Sequence, residues 1–116
     1  MHTRAVQPNT AVHAAALALT HEPVPADQSV AGDPSTAAST LTQFGGLEIG
    51  VWEMSVGTMT DVEADEMFVV LSGAATVEFA DGTAPLHLRA GDIGRLAAGA
   101  QTTWTVTDTL RKIYLT

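Results

Sequence analysis

From Leu47 onward, apolar and polar positions alternate in short bursts, and no segment carries the spacing of an amphipathic helix. Leu47–Met54, with Ile49, Val51 and Trp52, reads as one strand. Met67–Leu71 is an apolar run framed by Glu66 and Ser72-Gly73. Thr76-Val77-Glu78-Phe79 alternates and runs into Asp81-Gly82, a strong hairpin signal. Leu86 and Leu88 then alternate with His87 and Arg89 before a Gly91-Asp92 turn. Ile93–Leu96 is short and bounded by Gly99, Thr102–Val106 is β-branched around Trp104, and Leu110–Leu115 closes the chain. About seven or more such strands, at intervals of roughly 8–12 residues, predict an all-β sandwich or barrel.

The preceding residues follow a different regime. Residues 1–46 are rich in Ala, Thr, Ser, Pro and Gly, and Pro23, Pro25 and Pro34 interrupt regular structure. The expected organisation is an N-terminal arm over 1–46 and a barrel over 47–116. Val12, Leu17, Leu19 and Val24 are too apolar for a free tail, so the arm is expected to pack on the barrel or on a neighbouring copy. Gly73, Gly82, Gly91 and Gly99 each fall where one strand is expected to reverse into the next, and Asp92 is placed to hold its turn.

Composition narrows the function classes. A chain of 116 residues, 46% apolar, suits one domain with one core. No apolar run approaches the roughly 20 residues needed to span a bilayer. Ala11–Leu19, after Arg4, is a poor secretory signal: His13 interrupts it, and no small-x-small cleavage site follows. A cytoplasmic location is the expectation. Thirteen acidic residues against five basic ones give a formal charge of −8, which repels phosphate backbones and anionic lipid. Neither nucleic acid nor membrane is expected as a partner. With no cysteine, disulfide and thiol chemistry are excluded.

Glu66, six residues, Gly73, then Gly91-Asp92 and Ala97-Ala98-Gly99, resembles the two-part signature of the cupins. Gly50-Val51-Trp52-Glu53, Gly57, Asp81-Gly82, Thr103-Trp104 and Arg111-Lys112-Ile113-Tyr114 extend the likeness. Together they resemble the small single-domain cupins named for the (S)-ureidoglycine aminohydrolase cupin domain, over about residues 22–116. The resemblance implies an RmlC-like antiparallel jelly-roll barrel, or double-stranded β-helix, and a homodimer.

Metal-binding cupins supply His-x-His ahead of the glutamate and a third histidine from the second motif. Counted on that pattern, the ligand positions here hold Thr60, Val62 and Thr102, and Ala97 stands where a proline is expected. Thr and Val offer no imidazole nitrogen, and a lone carboxylate is a poor divalent site. His2, His13 and His21 fall in the arm, and His87 stands alone between two leucines. No metal and no other cofactor is expected.

A Glu66 directed inward needs a partner or a proton. Lys112 is the chain's one lysine; by strand parity it shares a face with Tyr114, and the resemblance turns that face toward the barrel. A Glu66–Lys112 pair within about 4–6 Å, beside Tyr114 and Trp104, is therefore expected. One reading makes it a structural salt bridge. The other makes Glu66, Lys112 and Tyr114 catalytic or binding groups, with Lys112 and Tyr114 holding an anionic or carbonyl group and Glu66 acting as acid or base. Trp52 and Trp104 are either ligand platforms or packing. Asp61, Glu63 and Asp65 read as a solvated acidic loop.

Three functions stay open at this point. The first is a metal-independent cupin binding a small molecule of ureido, amide or sugar-like type. The others are an aminohydrolase- or isomerase-type enzyme, and a non-catalytic structural or regulatory dimer.

Overall fold

The computed structural model describes residues 6–116, so His2 and Arg4 lie outside the described part. Nine strands follow one another: β1 (Glu22–Pro23), β2 (Ser29–Ala31), β3 (Ser35–Phe44), β4 (Leu47–Met54), β5 (Gly57–Val62), β6 (Glu66–Phe79), β7 (Leu86–Arg89), β8 (Ile93–Leu96) and β9 (Gln101–Leu115). A single 3-10 turn at Ala14–Ala16 is the one helical element among the described residues. No helix of the described residues is long and apolar enough to cross a membrane.

All pairings are antiparallel, in the order β1-β3-β4-β9-β5-β2, with β6 joining β7, β8 and β9. The sheet curls because its two longest strands each serve two neighbourhoods. The first part of β9 pairs with β5, from Gln101 opposite Val62 to Val106 opposite Gly57. Its last part pairs with β4, from Leu110 opposite Met54 to Leu115 opposite Ile49. β6 runs beside both parts, with register shifts between Val70 and Ala75.

Gly73 is the hinge of that bend. It does not end a strand, as expected from its neighbours, but sits inside β6 at φ +89°, a left-handed value that only glycine adopts cheaply. A Cβ there would stand 2.1 Å from the Thr109 carbonyl oxygen. Met67–Leu71 and Thr76–Phe79 therefore join into one bent strand, as do Thr102–Val106 and Leu110–Leu115. Gly82, Gly91 and Gly99 do occupy loops between strands, and Asp92 accepts the Arg89 N–H at 2.9 Å.

Residues 22–44, expected within the arm, contribute three strands, and β3 forms a full ladder with β4. Its Ser, Thr and Ala residues look like linker composition, yet Ala37 and Leu41 are buried. Residues 6–21 lie against this part of the sheet. The Val6 N–H bonds the Leu41 carbonyl, and Arg111 Nη1 donates to the carbonyls of Ala14 (2.9 Å) and Leu17 (2.7 Å). Arg111 Nε meets Glu53 at 2.8 Å, and the other oxygen of Glu53 meets His21 Nε2 at 2.7 Å. Burial raises the Glu53 pKa; hydrogen bonds from Arg111 and then His21, with their charges, outweigh it and hold the carboxyl below its ordinary value.

The core fills the inside of the curl with Met54, Met59, Phe68, Val70, Val77, Leu96, Trp104, Val106 and Leu110. Exclusion of this apolar surface from water, at about 25 cal/mol per Å², is the principal force that closes the sheet.

Candidate functional site

At one end of the curl the apolar filling gives way to charge. Lys112 on β9 and Glu66 at the start of β6 both turn inward, and Nζ and Oε2 stand 2.5 Å apart. Their side chains are 5% and 14% exposed. Lys112 lies opposite Val70 on one side and Trp52 on the other. Its ammonium is 4.7 Å from the centre of the Trp52 ring, 4.8 Å from that of Phe68 and 4.9 Å from that of Trp104. Three π faces and one carboxylate thus enclose one cation. Such an enclosure supplies the ammonium with electrostatic partners in place of the water it has lost.

Phe68 owes its place to Gly94, directly opposite it in the β6–β8 ladder. A Cβ on Gly94 would stand 2.3 Å from Phe68 Cζ, so the bare backbone is what admits the ring. Phe68 was not anticipated as a site residue; its only sequence signal was its place two residues after Glu66, on the same face of the strand.

Next to this pair the structure opens a cavity of about 230 Å³. Trp52, Trp104 and Tyr114 form its walls, and Ala38, Ala64 and Thr116, all exposed, form its rim. Trp104 is 1% exposed and belongs chiefly to the core, while Trp52 is half-buried on the pocket side. The two indoles meet at 5.4 Å and 59°. Tyr114 donates its hydroxyl to Glu48 at 2.7 Å. Burial, then that carboxylate, raises its pKa and keeps the phenol protonated.

Two acidic residues expected on a solvated loop line the same cavity. Asp61 and Glu63 are both half-buried. Glu63 Oε2 accepts hydrogen bonds from Thr102 Oγ1 (2.6 Å) and Trp104 Nε1 (3.0 Å). Asp61 Oδ1 accepts the Val62 N–H at 2.8 Å. Burial, followed by the charge of Glu63, raises the Asp61 pKa. Asp65 alone of the three carboxylates remains at the surface, 68% exposed beside Arg95. Strand parity carries the missing signal: Met59 and Asp61 alternate with the exposed Thr60 and Val62 on β5.

That parity also corrects the positions assigned to the metal ligands. Thr60 is exposed and Val62 is 66% exposed, so neither could contribute to an interior centre whatever its chemistry. The inward residues are Met59 and Asp61, with Thr102 facing them from β9. Thr102 spends its hydroxyl on Glu63, and Glu66 is paired with Lys112. Among the described residues no three His, Cys, Asp or Glu side chains converge on a common point. The donor set around Glu66, as the described residues supply it, does not fit a bound transition metal. His13 and His87 are exposed, and His21 is engaged by Glu53 and Ser35.

A curled antiparallel sheet with a polar cup at one end is the architecture of a small cupin. Residues 41–114 match the EutQ-like cupin domain, and the chain belongs to that family. A DUF861-family protein of unknown function from Pseudomonas syringae pv. tomato DC3000 superposes with a TM-score of 0.72 at 24% identity, covering 86% of this chain and 44% of that one. An ethanolamine utilization protein Q from Salmonella typhimurium LT2 gives a TM-score of 0.59 at 16% identity, with 70% and 68% covered. A DUF861-family protein from Thermotoga maritima gives 0.51 at 26%, with 55% and 73% covered. No curated protein matches the sequence.

Proposed function

We propose that this cupin binds a small organic molecule in the cavity beside Glu66 and Lys112, without a metal ion. The observation that carries the reading is the cavity itself: aromatic walls around a few fixed polar groups, the usual make-up of a small-molecule site. At about 30 Å³ per water, its volume has room for roughly seven waters, which limits the ligand to a compact compound. Ureido, amide and sugar-like compounds suit the carboxylate acceptors, and the likeness to the ureidoglycine aminohydrolase cupins points the same way. The anionic ligand considered from the sequence is disfavoured, because Lys112 is already neutralised by Glu66.

The test is a binding screen of small ureides, amides and polyols, read by Trp52 fluorescence and repeated with chelator present. Saturable binding unaffected by chelator, and weakened by Glu66→Gln, is the expected result. A ligand bound only with added metal overturns the metal-free reading.

A second reading, an aminohydrolase- or isomerase-type enzyme, is favoured by one contact. Glu66 and Lys112 are close enough to exchange a proton, and both line the cavity. Turnover of a ureide or keto sugar that disappears with Glu66→Gln would establish it.

A further inference from the structure

We infer that the cavity takes a small organic cation, an ammonium- or guanidinium-type head on a short apolar tail. This rests on the small-molecule reading above and adds the charge of the ligand. Three carboxylates, those of Asp61, Glu63 and Glu66, line the cavity against one ammonium, that of Lys112. Lys112 is matched by Glu66 and enclosed by three rings, which leaves Asp61 and Glu63 with no cation of their own among the described residues.

The hydrogen-bond inventory points in the same direction. Asp61 uses only Oδ1, Glu63 only Oε2 and Glu66 only Oε2. The second oxygen of each accepts no hydrogen bond from the described residues. None of these oxygens is sealed from solvent, since no buried side-chain polar atom lacks a partner. Among the neutral donors on the lining, Trp104, Tyr114 and Thr116 are already engaged. The Trp52 indole N–H is the exception. Lys112 Nζ gives one of its three N–H groups to Glu66 and stands among the three rings. The lone pairs of three carboxylates still outnumber the donors on the lining, which favours a ligand with N–H or O–H groups of its own.

Charge separates the candidates that remain. An anion meets uncompensated carboxylates, and a neutral amide supplies donors without relieving them. A cation does both, in a site where water is partly excluded and the attraction is stronger than in bulk. The Asp61 pKa, raised by burial and then by Glu63, is a sign of that uncompensated field. The Trp52 ring offers the tail an apolar wall.

Three ligands of matched size isolate the charge: n-butylammonium, butyramide and butyrate. Each is titrated at equal ionic strength into the isotope-labelled native protein, with NMR shifts of the Trp52 and Trp104 indole N–H signals as the readout. Butylammonium should bind about ten-fold or more tighter than butyramide, and butyrate should bind weakest. The Asp61→Asn, Glu63→Gln double variant keeps an oxygen for the Trp104 N–H and should lose the preference for the cation over the amide. Butyramide or butyrate binding as tightly as the cation overturns the inference while the pocket reading stands. An unchanged preference in the double variant overturns it too. No response to any of the three at high millimolar concentration overturns both.

Discussion

Lys112 lies directly opposite Trp52 in the β4–β9 ladder, and its ammonium stands over the ring of that tryptophan. The pairing places the chain's only lysine where the sheet curls, against Glu66 from the strand on its other side. The charged pair is thus tied into both strands that flank the end of β9.

Breaking this pair should cost more than breaking a surface bridge. Lys112→Met leaves Glu66 with no partner in a mostly buried position, and about 3–5 kcal/mol of stability should be lost. The double variant Lys112→Met, Glu66→Leu should recover most of that loss, because no buried charge is left alone. Denaturant unfolding of the four proteins in the cycle measures this. Additive losses would show that the two side chains are not coupled.

Asp61→Asn should stabilise the protein near neutral pH. The folded-state pKa of Asp61 is raised above its ordinary 3.8, so its favourable contribution is complete below about that pH. That contribution is lost as pH rises through the higher folded value, and at pH 7 the ionised form is a net cost. Melting curves should therefore show a gain for the variant at pH 7 that shrinks toward pH 3. A gain that does not change with pH would mean that the carboxylate charge is not its source.

Glu53 should show the opposite sign. Its folded-state pKa lies below the ordinary 4.5, so its stabilisation is present above that value and disappears as pH falls through the folded one. Glu53→Gln should cost about 1.5–3 kcal/mol at pH 7, the range for hydrogen bonds to charged groups, and progressively less as pH falls below 4.5. Arg111→Gln removes the donor to the Ala14 and Leu17 carbonyls and should expose that segment. Faster amide exchange and proteolysis between residues 14 and 21 would register the release; unchanged rates would rule out the latch.

Gly94→Ala should destabilise through Phe68. The added methyl meets the ring at a distance that no rotation of alanine relieves, and overpacking of this kind costs about 1–3 kcal/mol. Trimming the ring in a Gly94→Ala, Phe68→Leu double variant should cost less than the two single losses combined. Strict additivity would place the strain elsewhere.

The strands of the second half were legible because each announces itself locally. Leu47–Met54 begins and ends where its alternation does, and Asp81-Gly82 and Gly91-Asp92 mark real loops. The continuity of β6 and β9 was not legible. A glycine that bends a strand and one that ends it look alike in sequence, and only the partner strand decides. β3 was hidden because its buried residues include a small one, Ala37, in a run of Ser and Thr that matches linker composition.

Within the site, Glu66 and Lys112 were visible through motif and parity, since a single lysine on the right face leaves few alternatives. Asp61 and Glu63 were missed because a cluster of acidic residues suggests water, whereas strand parity puts Asp61 on the same face of β5 as the buried Met59, with Glu63 following just past the strand end. Phe68 was missed because its role depends on a glycine twenty-six residues away that makes room for it.

The enclosure of Lys112 also shapes how the protein meets reagents that attack primary amines. With its one lysine 5% exposed and paired with Glu66, the outer surface of residues 6–116 presents no side-chain amine to acylation. An ester too bulky to enter the cavity beside Lys112 would reach Nζ only when β9 parts from β4 and β6. The rate of tagging at that single position is then a clock for the opening of the whole sheet, written into the chain by its own composition.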